Sequence, residues 1–232
     1  MVFQNSGEAC NPVKTIGYHF WEVMNSHGQK RSKKECCQYA AELLSQLRMP
    51  DPERILNSYS FELSGGMNQR VGIALALANH PQIILADEPT SALDVTVQMS
   101  VLKELHDLRE EFQTSMILVT HSIGVVAQLC DTVGVMYAGR MVEWGRTEGL
   151  LSEPYHPYTR ALIDAVPTEL GEDPKGIEGM PPDFDAQIPG CPFAPRCPYA
   201  DDLCNSTMPS RSDTEEERWV RCFHPLKAGG LK

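Results

Sequence analysis

Apolar side chains recur at helical spacing in several stretches of the chain. Behind Ser32 and Glu35, whose Ser-x-x-Glu spacing fits a capping box, apolar residues return every three or four positions and predict a helix that ends near Met49. The same periodicity predicts helices over residues 64–79, 96–112 and 123–129, the second of these amphipathic. Residues 1–30 are mixed and predict no single element.

Short apolar runs between these helices predict strands over residues 82–86, 116–120, 132–137 and 141–144. The last two flank an Ala138-Gly139-Arg140 turn and are typical of a hairpin. Because strands and helices alternate, the pattern indicates an α/β fold with a largely parallel sheet. From about Val166 proline, glycine and aspartate become frequent and the periodicity fades, which predicts a loop-rich appendage over residues 166–232.

The composition limits the classes of function. A net charge of −11 argues against general nucleic-acid binding, but it is compatible with a nucleotide site because a phosphate needs only local donors. No apolar run approaches the about 18 residues of a membrane span, and the start shows no signal-peptide pattern. We therefore expect a cytosolic chain that reaches a membrane only by docking on other subunits.

Ser64, Gly65 and Gly66 stand at the predicted start of a helix. The glycines expose backbone N–H groups, the helix dipole adds positive potential, and the serine adds a hydroxyl donor, which together favour an anion site. The alternative is a glycine-containing turn before a core helix.

Two carboxylates, Asp87 and Glu88, directly follow a predicted buried strand, and His121 directly follows the next one. Ligands of α/β proteins bind at the carboxyl ends of strands. An aspartate there suits Mg²⁺ held through water, and a glutamate one residue on can orient or deprotonate an attacking water. The alternatives are a solvated acidic turn and a structural histidine.

This ordered set of motifs resembles the ABC transporter ATPases. Residues 64–69 resemble the signature motif, residues 83–88 the Walker B strand, residues 91–94 the D-loop, His121 the switch histidine, and Gln4 the Q-loop glutamine. The resemblance implies ATP and Mg²⁺ as ligands. It implies catalytic roles for Glu88, His121 and Gln4, Mg²⁺ binding by Asp87, and nucleotide binding by Ser64, Gly65, Gly66, Gln69, Asp87 and Asp94.

Residues 64–71, 155–162 and 190–198 are similar to the dipeptide, oligopeptide and nickel importers, and the resemblance covers residues 1–232. It implies an incomplete ABC-type P-loop NTPase core of the α/β class over residues 1–165, with a helical signature subdomain at about 12–80. Residues 166–232 then form a Cys-containing C-terminal extension. Asn68 stands where the family more often has Gln, Arg or Lys, and we expect it to face outward.

No Gly-x-x-x-x-Gly-Lys-Ser/Thr loop occurs in the 232 residues, which contain no Gly-Lys dipeptide. The family places this loop before Gln4, so we expect an N-terminally truncated subunit, arising from a start at an internal Met or from a split protein. Such a chain cannot hold ATP alone, but it can lend its signature residues to a partner's ATP. Without the strand that leads into the loop, residues 83–86 are expected to expose an apolar edge and to make the chain poorly soluble alone.

The resemblance implies an energy-coupling subunit of a peptide-type importer, bound peripherally at the cytoplasmic face of the inner or plasma membrane. Its expected partners are a second ATPase subunit, two membrane permease subunits and, indirectly, an extracytoplasmic solute-binding protein. No nucleic-acid partner is expected. The alternatives are a non-catalytic partner that only donates its signature motif, and a soluble ABC-type ATPase not involved in transport.

Four cysteines crowd into the last 42 residues, separated by five, six and seventeen residues: Cys191, Cys197, Cys204 and Cys222. A reducing cytosol disfavours structural disulfides, so the cluster suggests a metal site. Zinc sites usually contain a tighter Cys-x₂₋₄-Cys pair, and the wide spacing together with the importer family's tail favours a four-iron four-sulfur cluster. Zinc and no metal remain as alternatives.

Overall fold

A computed structural model describes residues 1–26, 28, 30–91, 95–166, 176–183, 185–213 and 217–226, without the side chains of residues 95–97 and 99. The helices are α1 (Ser6–Ala9), α2 (Ile16–Asn25), α3 (Lys33–Gln46), α4 (Pro52–Asn57), α5 (Gly65–Leu77), α6 (Val95–Phe112), α7 (Ile123–Leu129), α8 (Thr147–Ser152), α9 (Pro157–Asp164) and α10 (Asp202–Ser206). The strands are β1 (Ile83–Asp87), β2 (Ser115–Val119), β3 (Thr132–Tyr137), β4 (Arg140–Arg146), β5 (Ser212–Asp213) and β6 (Trp219–Val220). They fall into two compact units, Met1–His121 and Ser122–Lys232.

The helices of the first unit start where their capping residues predict. Ser32 and Glu35 form the expected capping box at α3, with the Ser32 N–H donating to Glu35 Oε2 at 2.8 Å and the Glu35 N–H donating to Ser32 Oγ at 3.3 Å. Helix α2, which the sequence pattern did not predict, is capped by Thr15. These helices surround one apolar core whose largest fully buried members include Phe20, Leu43, Leu44, Ile55, Ile73 and Leu77.

Strands β1 and β2 are parallel and pair from Ile83↔Ser115 to Asp87↔Val119. The other edge of β1 is paired at its end by Val2, whose N–H donates to the Leu85 carbonyl at 2.7 Å and whose carbonyl accepts from the Asp87 N–H at 3.0 Å. The predicted exposed edge is therefore covered only at its end, since Val2 bridges Ala86 alone on that side among the described residues and the edge beside Ile83 and Ile84 is left unpaired.

The apolar side chains of this strand pair are nevertheless partly at the surface. Successive side chains of a strand point to opposite faces, so Ile84 and Ala86 are buried in the helical core while Ile83 and Leu85 are 57% and 46% exposed. On β2, Ile117 is likewise exposed, since the side chains of this strand also alternate between the two faces. An apolar sheet face of this kind favours association between molecules.

The second unit contains an antiparallel sheet of order β3-β4-β6-β5. The predicted hairpin is confirmed, and its two-residue turn places Ala138 and Gly139 at φ of 46° and 73°, which matches the type I′ geometry that suits twisted strands. Among the described strands that carry a label, β1 and β2 form the one parallel pair. The prediction of a largely parallel sheet is therefore wrong for these strands.

Strand β6 pairs with β4 through Glu143↔Val220 and Trp144↔Trp219. The pairing joins residues from both sides of the predicted boundary at residue 165, and that boundary stays a prediction. The second core combines Tyr137, Val142 and Phe193 with Cys191 and Cys204. Among the described residues, no helix is long and apolar enough to cross a bilayer.

Candidate nucleotide and metal sites

Glu88 and His121 meet at the carboxyl edge of the parallel strand pair. Glu88 has a positive φ of 45°, and its N–H donates to the Val119 carbonyl at 2.9 Å, which fixes it beside the end of β2. Its Oε1 accepts from the His121 N–H at 3.1 Å and lies 2.8 Å from His121 Nδ1. The Glu88 side chain is 22% exposed and that of His121 is 78% exposed, so the pair is open to a ligand.

Asp87 ends β1 with its side chain exposed. Its backbone is held by Val2, while its carboxylate makes no ion pair or side-chain hydrogen bond within the described part of the chain. A carboxylate placed beside Glu88 and left facing solvent can ligate a divalent cation, directly or through water.

The predicted anion site at Ser64 has the expected helix geometry. Ser64 is the N-cap of α5, and its Oγ accepts from the Met67 N–H at 3.3 Å. Gly65 and Gly66 form the first turn, in which backbone N–H groups lack partners inside the helix. Ser64 and Gly65 are exposed, so these donors face solvent.

Gln69 differs from the other predicted nucleotide-binding residues because it is 3% exposed. Its Nε2 donates to the Phe3 carbonyl at 3.2 Å, next to Gln4, which lies exposed in a turn. Because Val2 pairs with β1 and Phe3 accepts a hydrogen bond from Gln69, this N-terminal segment contacts both α5 and the strand that carries Asp87. Gln4 directly follows these two contact residues and is exposed.

Asn68 does not face outward as predicted. It is half-buried, and its Nδ2 donates to the carbonyls of Ser60 at 2.9 Å and Leu63 at 3.3 Å. The prediction was wrong because helical position alone did not reveal the loop that folds back over this side of α5. Asp94 lies outside the described residues.

The four predicted metal ligands come together although they are spread over the last part of the sequence. Cys191, Cys197, Cys204 and Cys222 all line one pocket, which His156 and His224 also line. The Cys191 N–H donates to the Cys204 carbonyl at 2.8 Å and holds two of the ligand segments together. Burial raises the pKa of all four thiols, that of Cys222 to about 12.

Backbone amides oppose this effect of burial at all four sulfurs. The N–H groups of Phe193 and Ala194 point to Cys191, those of Tyr199 and Ala200 point to Cys197, that of Asp201 points to Cys204, and that of His224 points to Cys222; each contact lowers the thiol pKa. Amide donors aimed at sulfur stabilise a thiolate, the form that binds metal. The donor set therefore fits a thiolate-ligated group.

The spacing of the ligand atoms bears on which group fits. In the described ranges, the one set of three candidate ligand atoms mutually within 4.8 Å is Asp201, Cys204 and His224. A tetrahedral zinc with Zn–S bonds of about 2.3 Å would place its sulfurs only about 3.8 Å apart. Among the described residues of this pocket, no three of the four cysteine sulfurs lie mutually within 4.8 Å of one another.

Asp201 and His224 were not predicted as part of this site. Asp201 Oδ1 accepts from the Cys204 N–H at 2.9 Å, and its Oδ2 lies 2.9 Å from His224 Nε2. These two contacts lower the pKa of Asp201 to about 2, and the Cys204 N–H makes the larger contribution. Asp201 stands three residues before Cys204, at the start of a short helix. This spacing was the sequence signal that could have revealed its place in the site.

His156 is a second residue that the sequence reasoning missed, although its segment had been noted for family resemblance. It is 1% exposed and caps α9, with its Nδ1 accepting from the Tyr158 N–H at 3.0 Å. Its own N–H donates to Glu143 Oε2 at 3.0 Å. Glu143 is 0% exposed and pairs with Arg218, so a buried ion pair fixes the backbone beside the cysteine pocket.

A parallel strand pair that carries two carboxylates and a histidine at its carboxyl edge, combined with a capped glycine helix start, fits an ABC-type ATPase domain. Residues 1–91 match the protein family described as "ABC transporter", and residues 142–204 match the family described as "Oligopeptide/dipeptide transporter, C-terminal region". The dimeric post-hydrolysis structure of the ATP-binding cassette MJ0796 with ADP and Pi superposes with a TM-score of 0.54 at 30% identity, over 63% of this chain and 62% of that one.

The chain belongs to the family of ATP-binding proteins of oligopeptide and dipeptide ABC transporters, as the motifs predicted. It is 46% identical to the oligopeptide transport ATP-binding protein AppD of Bacillus subtilis (strain 168), over 96% of this chain and 68% of that protein. It is 41% identical to OppD of Salmonella typhimurium, over 98% of this chain and 68% of that protein. The chain spans about two thirds of the length of these relatives.

Proposed function

We propose that the chain is the energy-coupling subunit of a peptide-type importer, in which it binds ATP and Mg²⁺ together with a second ATPase subunit. It acts peripherally, at the cytoplasmic face of the membrane, on two permease subunits that receive solute from an extracytoplasmic binding protein. The observation that carries this proposal is the Glu88–His121 contact at the carboxyl edge of β1 and β2.

The roles of the edge residues follow from their positions. Glu88 is the base that orients and deprotonates the attacking water, and His121 holds the Glu88 carboxylate while its exposed ring reaches the terminal phosphate. Asp87 holds Mg²⁺, which neutralises phosphate charge when bound. Gln4 directly follows Phe3, whose carbonyl accepts from Gln69 of α5, and this neighbourhood supports a role for Gln4 in relaying the state of the nucleotide.

We infer that the 232-residue polypeptide completes a nucleotide site and does not hold one alone, because no phosphate-loop sequence occurs in it. Charge-assisted hydrogen bonds are worth about 1.5–3 kcal/mol each, and a triphosphate without its loop loses several. The exposed start of α5 supports the complementary half of the proposal, since Ser64 and Gly65 can donate to the γ-phosphate of a nucleotide on another subunit.

The test measures ATP hydrolysis by the polypeptide alone and mixed with an intact ATP-binding subunit of the same transporter family. We expect no hydrolysis above background alone and a rate with the partner that Ser64→Arg lowers at least about tenfold, because the side chain fills the donor site. Ser45→Arg, at an exposed position of α3, is the matched control and should leave the rate unchanged. Tight Mg²⁺-dependent ATP binding by the polypeptide alone would refute the proposal.

A second candidate is a non-catalytic partner that only donates its signature motif, and the formed and exposed start of α5 favours it. Glu88→Gln separates the two functions in the same mixture. If the partner lets a nucleotide bind at the carboxyl edge of β1, Glu88 acts on it as base and the variant lowers the steady-state rate; if the chain only donates Ser64 to a nucleotide on the partner, the rate stays at the value of the unmodified mixture.

We further propose that Cys191, Cys197, Cys204 and Cys222 hold a four-iron four-sulfur cluster, with zinc as the alternative. The shared pocket and the amide donors aimed at sulfur support a thiolate-ligated group, and the absence of three sulfurs mutually within 4.8 Å favours the cluster over a single zinc ion. A bound cluster can take up or release one electron, whereas zinc is only structural.

Metal and sulfide analysis of protein purified without oxygen tests this assignment. We expect iron and acid-labile sulfide in near-equal amounts, and their loss in Cys222→Ser. Cys37→Ser, at a half-buried position of the first unit, is the control and should keep both. Stoichiometric zinc without iron would exclude the cluster.

A further inference from the structure

The buried His156 ring has one nitrogen with a partner and one without. Its Nδ1 accepts from the Tyr158 N–H at 3.0 Å, so Nδ1 carries no proton. Burial lowers the pKa of His156 to about 4, so the ring is neutral at pH 7 and its single proton is on Nε2. Nε2 has no hydrogen-bond partner among the described residues.

An N–H donor in this position is costly unless something accepts its hydrogen bond. His156 lines the pocket together with the four cysteines, and its ring lies beside that of Phe193 at a centroid separation of 6.1 Å. The described residues therefore supply no acceptor, and a group bound in the pocket that His156 lines is the candidate acceptor.

We propose that His156 donates an Nε2–H hydrogen bond to a sulfur atom of the metal group bound by the four cysteines, and that this bond raises the reduction potential of that group. The inference rests on the proposed iron–sulfur cluster. His156 is a positioning residue and not a ligand, because its Nδ1 is engaged and its Nε2 carries the proton.

The direction of the effect follows from charge. Reduction adds one electron to the cluster and its sulfur atoms become more negative. A donor whose positive end points at sulfur stabilises the reduced form more than the oxidised form, which raises the potential. The ring cannot rotate away, because its own backbone N–H is bound by the buried Glu143 carboxylate and its Nδ1 caps α9.

Two substitutions separate the hydrogen bond from the capping role. His156→Asn keeps an oxygen near the position of Nδ1, so it caps α9, but it is too short to reach the pocket. His156→Gln carries an amide N–H near the position of Nε2. His106→Asn, at an exposed position of α6, is the matched control.

The experiment is an anaerobic redox titration of the full chain, followed by visible absorbance and electron paramagnetic resonance, with iron and sulfide measured in every sample. At the midpoint of the unmodified protein, we expect His156→Asn to lower the ratio of reduced to oxidised cluster about tenfold, which is about 59 mV for a one-electron couple. His156→Gln should restore most of this shift, and His106→Asn should cause none.

Equal midpoints for His156→Asn and the unmodified protein, at equal iron content, would overturn the role of His156 while leaving the cluster in place. Absence of iron and sulfide from the unmodified protein would instead overturn the cluster, and the inference with it. If His156→Asn loses the cluster, retention by His156→Gln supports the donor, and loss by both variants overturns it.

Discussion

Replacing Glu143 with alanine removes one acceptor of three hydrogen bonds in the interior of the second unit. The carboxylate accepts from Arg218 Nη2 at 2.5 Å and from the N–H groups of Tyr155 at 2.8 Å and His156 at 3.0 Å. The side chains of Glu143 and Arg218 are 0% and 4% exposed, so water cannot replace the lost contacts without opening the structure.

The expected cost can be worked from these contacts. Removing one partner of a buried ion pair typically costs 3–5 kcal/mol, about 4 kcal/mol being a central value, because the remaining charge is left uncompensated. Arg218 keeps the Gly149 and Glu153 carbonyls as acceptors, which reduces the loss of stability. The N–H groups of Tyr155 and His156 lose their acceptor, which increases it. With a urea m-value of about 2 kcal/mol/M, a loss of about 4 kcal/mol lowers the unfolding midpoint by about 2 M.

The assay is urea unfolding followed by tryptophan fluorescence. Trp144 and Trp219 are cross-strand neighbours on β4 and β6 and report on the second unit, so Trp21→Phe is used as the background. Glu148→Ala, at an exposed position of α8, is the control and should change stability by less than about 0.5 kcal/mol.

A double-mutant cycle isolates the ion pair from the rest of the site. Glu143→Ala combined with Arg218→Met should be less destabilised than the sum of the two single variants, because the second change removes the orphaned charge. If Glu143→Ala costs less than about 1 kcal/mol, or no more than Glu148→Ala, the reasoning about the buried pair is refuted.

Two further predictions concern the first unit. A Cβ added at Gly72 would lie 2.3 Å from Ser6 Oγ, so Gly72→Ala should lower the free energy of unfolding by about 1–3 kcal/mol, which calorimetry detects as a lower melting temperature. Adding Ser6→Gly should recover most of this loss. No recovery would contradict the clash. Hydrogen bonds from the Ser32 side chain and N–H lower the pKa of Glu35, so its contribution to stability is complete above pH 4.5 and is lost as the pH falls through the folded-state pKa. Ser32→Ala should raise the Glu35 pKa toward 4.5 in a carboxyl NMR titration, and an unchanged pKa would exclude the side-chain contribution.

Elements with strong local signals were predicted well. The hairpin and the helices α3, α5, α6 and α7 start and end within a few residues of their predicted bounds, because capping and turn geometry depend on neighbours in the sequence. Helix α2 was missed, since residues 1–30 mix polar and apolar side chains without a dominant period. The bridge from Val2 that covers the end of the edge of residues 83–86 was not predicted, because strand pairing depends on segments that are distant in the sequence.

The sequence by itself determined the family and the order of its motifs, because a glycine helix start and an acidic pair after a strand each consist of a few adjacent residues, and the four cysteines fall within the last 42 residues. The tertiary structure alone decided which atoms meet. Glu88 meets His121 across 33 positions and Glu143 meets Arg218 across 75. The proton position on His156 likewise depends on a backbone amide and on burial among side chains from distant segments, since burial and hydrogen-bond partners are properties of the packed chain and not of any local pattern.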